Sequence, residues 1–578
     1  MKGFVIKKAG YLCDVCVPEK AALSTLTAAA ELIRCLSAQC GAVPVLYSGK
    51  PKAGDICVGA SSGGLGSDEL HIAVRDDILW IDGGVRGVLY GVYELLERLG
   101  CRFFAKDCEV LPKAEELTVP AETDIRQKPL FEYRNTSWCP DPLLAPKLRL
   151  NGLVDDGEIP VAWGGGQKYL GFVHTLGELA EMELIDGEYT DRQPCLTDEK
   201  TYQTVIKNLR RKLEENPWAT IASVSQNDSH EWARGCQCPR CKALDDAQGT
   251  PMGSLLTFVN RVAEELEPDY PQLAIDTLAY AYTSKVTSNL RARDNVIIRL
   301  CAPACSVTEP LEKASESFAQ NLRDWAQKCS RIYIWDYTTC FLSYHNPFPN
   351  FNVLRQNVRF FADNNVRGVF EQGNHQTANG EFGELRAYLF GKLLWDPYMS
   401  EETYQRHIDE FMAAYYGPGA KHIRQFFDRL QNCAHGVTTV NFPDPAVLFL
   451  DPETKGSNDE RAAAFLQKGR ADFAAARSEA DAVQSKHLLR AEIQLDLYEW
   501  HLLHDRMQAA DDESKEALKQ SLQQAGLRLY AHIIACDIVL TQEDIFHRSV
   551  FTKIVPYFTD LPYEWGTPSR YLNTAIVL

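Results

Sequence analysis

Residues 223–232, SVSQNDSHEW, run from an apolar segment straight into groups that carry charge or form hydrogen bonds: Asn227, Asp228, His230 and Glu231. Comparable junctions recur along the chain. They supply Arg134 in FEYRNTSW, His174 in GFVHT, Tyr280 and Tyr282 in DTLAYAYT, and Trp335, Asp336 and Tyr337 in IYIWDYT. GVFEQG and the residues after it supply Glu371, Gln372, Asn374 and His375. Carboxylates at separate strand ends, flanked by aromatic rings, suit glycoside hydrolysis. One carboxylic acid protonates the leaving oxygen, while a second carboxylate attacks, activates water or steadies charge at the anomeric carbon. On this reading Asp228 is the proton donor, and Glu371 or Asp336 is its partner. Asn227, His174, Arg134 and His375 would bind hydroxyl, acetamido or carboxylate groups. Tyr282, Trp335 and Trp138 would form a wall for the sugar ring. Each carboxylate has a plainer reading as a helix cap. Three of them at three separate strand ends argue against caps for all.

Four residues after Trp232 comes Cys236-x-Cys238-x-x-Cys241. This resembles part of a zinc site, but structural zinc takes four N or S ligands. His230, Cys301 or Cys305 could complete the set, and no second CxxC lies nearby. The alternative is a compact loop of thiols ahead of the next helix. That alternative is the expectation carried forward, with no metal and no cofactor. The chain has 18 cysteines in all, scattered, with several inside apolar elements such as Cys35 and Cys536. They read as reduced thiols acting as small core hydrophobes.

The elements that would position these groups fall into three stretches. Residues 1–125 alternate short strands with two helices, as a small α/β domain does. LHIAVRDDILWIDGG predicts a hairpin about Asp76-Asp77. Gly41 and Gly100 are placed to stop the two helices. VLPKAEELTVPAE reads as an extended linker. Residues 126–400 repeat a strand followed by a helix about eight times, which predicts parallel strands with crossover helices, a (β/α)₈ barrel. A doubly wound sheet is the alternative, but no G-x-G-x-x-G turn follows a first strand. Residues 401–578 carry long amphipathic helices that suit a bundle. If the middle stretch is a barrel, its catalytic groups sit at the C-terminal strand ends.

Composition narrows the partners. The chain has 578 residues, 45% hydrophobic and 24% charged, with a net charge of −18. That balance argues against nucleic acid, which needs a dense basic face, and against an anionic membrane surface. No apolar run reaches the ~18–20 residues that span a bilayer. The N-terminus MKGFVIKKAGYLCDVCV lacks the apolar core of a secretory signal, so the expected location is the cytoplasm. A carbohydrate is the expected partner, and a homo-oligomer is compatible with the sequence.

RGVLYGVYELLERLGCRFFAKDCEVLP resembles the end of the small α/β domain that precedes the barrel in glycoside hydrolases, among them family 67 α-glucuronidases and family 20 β-N-acetylhexosaminidases. More specifically, SVSQND…GCQCPRC…LLTFVNRVAEELEPDYPQLAIDTLAYAYT resembles bacterial proteins carrying domain of unknown function 4838. GVFEQG…EFGELRAYLFGKLLWDP and FMAAYYGPGAKHIRQFFDRL are similar to later stretches of that group. The resemblance implies the same three-part architecture. It also implies carbohydrate-active chemistry, an exo-acting hydrolase that removes an N-acetylhexosamine or a uronic acid. Family 20 enzymes place an Asp-Glu pair after the fourth barrel strand, where this chain has Asn227-Asp228. Asp336 and Glu371 resemble the later-strand carboxylates of family 67. Two other functions fit the same residues: a carbohydrate-binding barrel without catalysis, and a zinc-containing enzyme built on the cysteine triplet.

Overall fold

The computed structural model describes residues 3–538, apart from 60–63, 154–157, 186, 188, 230–233, 303–305, 342, 375–378 and 434–448. The N-terminal part builds a mixed six-stranded sheet, covered by helices Leu23–Cys40 and Gly87–Arg98. The first helix ends on Gly41, whose φ of 69° lets its N–H cap the carbonyl of Ser37. Strands Leu70–Arg75 and Ile78–Gly83 pair antiparallel across Asp76 and Asp77. Both aspartates have positive φ, 55° and 57°, as a tight hairpin requires. The 110–122 stretch is not a plain linker. Leu117–Val119 pairs antiparallel with Phe4–Lys8 to build a second, three-stranded sheet. A three-residue strand paired across more than a hundred residues leaves no local periodicity to read.

The barrel sheet is parallel, with seven strands: β1 (Tyr133–Thr136), β2 (Tyr169–Leu170), β3 (Ile221–Ser223), β4 (Ala274–Ala279), β5 (Val296–Cys301), β6 (Ile332–Tyr337) and β7 (Val366–Gln372). Their order is β1-β7-β6-β5-β4-β3-β2. The six polar junctions read from the sequence lie on, or a few residues past, β1, β2, β3, β4, β6 and β7. At GFVHT the ladder itself stops at Leu170, one turn earlier than the apolar run suggests. No ladder joins β1 to β2 among the described residues. A cavity of about 430 Å³ opens near these two strands, lined in part by Tyr133, Tyr169, Phe172 and Trp218.

Alternation along the strands sorts the side chains into two layers. Tyr133, Ile221, Ala274, Ile297, Tyr333 and Phe370 meet in one apolar cluster inside the barrel. Ala222, Ile275, Ile298, Ile334 and Val369 point the other way, into the large core shared with the surrounding helices. The N-terminal part is riveted to the barrel from outside. The Arg134 guanidinium lies over Tyr90 and Trp395, 5.8 and 5.4 Å from the ring centroids. Half-buried Glu97 receives Arg149 and Lys392, which hold its carboxyl down to about 2 against the upward push of desolvation.

C-terminal to the barrel come helices Glu401–Tyr416, Ala420–Gln431, Asn458–Ser478, Ala482–Ala509 and Asp512–Ala535. Capping boxes, Ser457 with Glu460 and Asp481 with Gln484, start two of the long ones. The bundle docks on the barrel through Arg490, which donates to Glu384 at 2.7 Å.

Candidate active site

The interior of the barrel is closed by an aromatic floor around one buried ion pair. Tyr133 and Tyr333 stack at 5.7 Å, and Trp335 meets Phe370 edge-on at 4.9 Å. Phe172, just past β2, packs against both Trp335 and Phe370. In their midst Arg299 of β5 donates two hydrogen bonds to Asp276 of β4, at 3.1 and 2.7 Å. The guanidinium also lies 4.3 Å from the centroid of Phe172. Burial pushes Asp276 up to about 6, against the downward pull of Arg299. Nη1 of Arg299 is buried and has no hydrogen-bond acceptor among the described residues. Sequence reasoning passed over this pair. The available signal was a single charge inside each of two apolar strands, AIDTLA and VIIRLC, where it must be paired to be tolerated.

Above the floor, His174 and Asp228 face one another across the mouth. Nδ1–H of His174 donates to the carbonyl of Gln226 at 2.8 Å, which leaves Nε2 as an acceptor. Nε2 stands 3.7 Å from Oδ1 of Asp228. Burial pushes the imidazole below its ordinary value, so it is neutral at pH 7. His174 has φ 56°, a left-handed conformation that costs energy in a non-glycine residue and aims the ring. The Asp228 side chain is 54% exposed, which leaves it open to a ligand.

The residue before it is fully enclosed. Asn227 accepts from the Gly177 N–H and donates to the Arg192 carbonyl, while its backbone exchanges two hydrogen bonds with the Gln193 side chain. Its amide is therefore engaged by protein, away from any acetamido group. Gln226 is similarly locked, donating to the Tyr280 carbonyl and accepting from Thr283.

Asp336 and Glu371 are brought together, but not in the lumen. They are register partners on β6 and β7. They share the alternation of Ile334 and Val369, so both side chains fall on the helix-facing side of the sheet. Both are buried, and neither forms an ion pair among the described residues. Burial pushes Asp336 up to about 7 and Glu371 well above its ordinary value, and each carboxyl lies against the other. The pair holds a proton at neutral pH. Asp336 also accepts from the Tyr337 N–H at 2.9 Å.

The remaining residues divide the same way. Trp335 is half-buried on the lumen side, donates to Gln372 at 2.6 Å and stacks on Tyr337. Arg134 has the opposite parity and is fully buried, with its Nε and Nη1 donating to the carbonyls of Arg149 and Phe131. Trp138 is a core residue: it donates to Thr338, lies under the Arg386 guanidinium and fills the space beside Gly373. Tyr282 packs beside Gly235, which has φ 64°. His375 lies outside the described residues, as do His230 and Cys305. Cys301 faces the lumen and is not near the cysteine triplet's sulfurs. Those three sulfurs instead meet Cys195, and all four lie within 4.8 Å of one another.

An α/β barrel with an aromatic lumen, a small α/β part before it and a helical bundle after it is the architecture of barrel glycoside hydrolases. Over 98% of its length the chain is similar to 81% of a solved family GH115 4-O-methyl-α-glucuronidase with specificity for decorated arabinogalactans, at TM-score 0.60 and 13% identity. It is similar, more loosely, to a GH138 enzyme targeting pectin rhamnogalacturonan II (TM-score 0.49, 9% identity, 94% of this chain and 98% of that one). A GH20 β-N-acetylhexosaminidase from Streptomyces coelicolor A3(2) matches at TM-score 0.41 and 13% identity, over 71% of this chain and 92% of that one. No curated protein sequence matches the chain. The chain belongs to the family described as domain of unknown function (DUF4838), whose model matches residues 103–428, more than half its length.

Proposed function

We propose that this protein is an exo-acting glycoside hydrolase, with Asp228 as the acid that protonates the leaving oxygen. The carrying observation is the facing pair at the mouth: an open carboxyl 3.7 Å from the acceptor nitrogen of a neutral, conformationally fixed imidazole, above an aromatic floor. A sugar resting on Trp335 would present its glycosidic oxygen to Asp228. His174 Nε2, the acceptor nitrogen, would receive the O–H of the protonated carboxyl and hold it towards the mouth. An acidic sugar is favoured over an N-acetylhexosamine by two features. Arg299 keeps one nitrogen unbonded on the lumen side, and Asn227 has no group left for an acetamide. The solved relative acts on a 4-O-methyl-glucuronide, which agrees with this preference. Nitrophenyl α- and β-glucuronides, galacturonides and N-acetylhexosaminides, assayed side by side, test it. Release from a uronide that Asp228→Asn abolishes is expected. Full activity in that variant would exclude Asp228 as the acid.

One observation favours a second reading, binding without turnover. Asp336 and Glu371 lie behind the sheet, so Asp228 is the one carboxylate of the three that faces the mouth. Calorimetric binding of a uronide with no release of product over the whole panel would select this reading.

A further inference from the structure

Four cysteines converge where the loops after β2 and β3 meet. Cys195 lies three residues ahead of Asp198, the N-cap of helix Glu199–Glu215. Cys236, Cys238 and Cys241 lie at the start of helix Pro239–Gln248. The measured sulfur separations are 3.7 Å for Cys195–Cys238 and 3.9 Å for Cys195–Cys241, and all four sulfurs fall within 4.8 Å of one another. A disulfide would need ~2.05 Å. Four sulfurs held at ~2.3 Å by one tetrahedral zinc stand ~3.8 Å apart, which the two Cys195 separations match and the 4.8 Å bound on all four accommodates.

We infer that Cys195, Cys236, Cys238 and Cys241 form a structural Zn²⁺ site. On binding, the four thiols give up their protons and nothing is oxidised or reduced. The surroundings suit thiolates. The Cys241 N–H donates to the Cys238 sulfur at 3.4 Å, and the Thr197 hydroxyl lies 3.3 Å from the Cys241 sulfur and 3.6 Å from that of Cys238. Cys238 caps the helix, so its sulfur and that of Cys241 sit at the positive end of the helix dipole. All four coordination positions are filled by protein, which makes the site closed and structural rather than catalytic. The ligand spacing explains why the sequence hides it. Three ligands are contiguous, while Cys195 stands alone 41 residues upstream in RQPCLTD.

The site has a positional consequence. Residues 191–193 are zipped to 227–228: Asp191 N–H donates to the Asp228 carbonyl at 2.8 Å, and Gln193 brackets Asn227. Cys195 follows two residues later, and the triplet begins eight residues after Asp228. The metal would therefore pin both strands of that zipper beyond its far end. The link to Asp228 rests on the proposed hydrolase reading, but the metal site does not.

Zinc content of the full chain, purified without chelator, tests the inference directly. About one zinc per chain is expected, falling to near none in Cys195→Ser and in Cys238→Ser. A mercurial titrated into the unmodified protein should release that zinc to a colorimetric chelator as four thiols react. Cobalt reconstitution should give the intense visible absorption of a tetrahedral tetrathiolate. Two results would overturn the inference: zinc-free native protein whose four thiols react freely with a disulfide reagent, or disulfides among the four by mass spectrometry. Iron in stoichiometric amount would overturn the choice of zinc. None of these readouts depends on hydrolysis, so failure of the metal site and failure of the proposed activity are separable.

Discussion

Asp228 and the Asp336–Glu371 pair are both strand-end carboxyl groups, yet they occupy opposite sides of the same sheet. Asp228 follows β3 and opens to the mouth beside a neutral imidazole. Asp336 and Glu371 end β6 and β7 but point into the helix layer, where burial keeps them protonated beyond the ordinary range. A strand end is therefore not sufficient for a role at the mouth. Asp336 and Glu371 lie inside their strands, where parity turns them from the lumen, whereas Asp228 lies five residues past β3, in the loop that carries it to the mouth.

The comparison can be broken first at the mouth. Asp228→Asn should lower kcat on a cleaved glycoside roughly 10²–10⁴-fold, with unfolding stability changed by no more than about 0.5 kcal/mol. A steady-state assay paired with a melt separates the two. Beneath it, Arg299→Met leaves Asp276 buried and unpaired. Denaturant unfolding should show a loss of about 3–5 kcal/mol, far more than the change at the exposed carboxyl. Behind the sheet the expected effect depends on pH. Asp336 stands at about 7 in the folded chain, against ~3.9 unfolded. Its contribution to stability is therefore full below pH ~4 and is lost as pH rises through about 7. Thermal melts at pH 5 and pH 8 should show Tm falling with pH, and Asp336→Asn should reduce that fall by roughly a few degrees. Glu371, shifted further in the same direction, extends the window upward. The smallest effect is at the platform. Trp335→Phe keeps a ring but loses the hydrogen bond to Gln372, and should raise KM roughly two- to tenfold, or about 0.5–1.5 kcal/mol.

The strands and helices were legible because their signals are local. The Asp76-Asp77 hairpin, the stop at Gly41 and the three long C-terminal helices lie where period and turn chemistry place them. Six of the seven barrel strands carry the polar ends that single them out, and β5 shows as the apolar run VIIRLC. The misses have a common cause in contacts across long stretches of chain. Leu117–Val119 is a strand only because Phe4–Lys8 offers it an edge. Arg134 reads as a free cation in FEYRN, but its parity turns it onto Tyr90 and Trp395. Asn227 and Asp228 are adjacent in sequence, but contacts with residues 177, 192 and 193 enclose the one and leave the other at the mouth. Cys195 joins the triplet only through the meeting of two loops.

The most direct test of the central claim is a crystal structure of the full chain soaked with a uronic acid monosaccharide. The ring is expected against Trp335, with its anomeric oxygen about 3 Å from the Asp228 carboxyl. A sugar bound elsewhere, or one whose anomeric oxygen meets Asp336 or Glu371 instead, would contradict it.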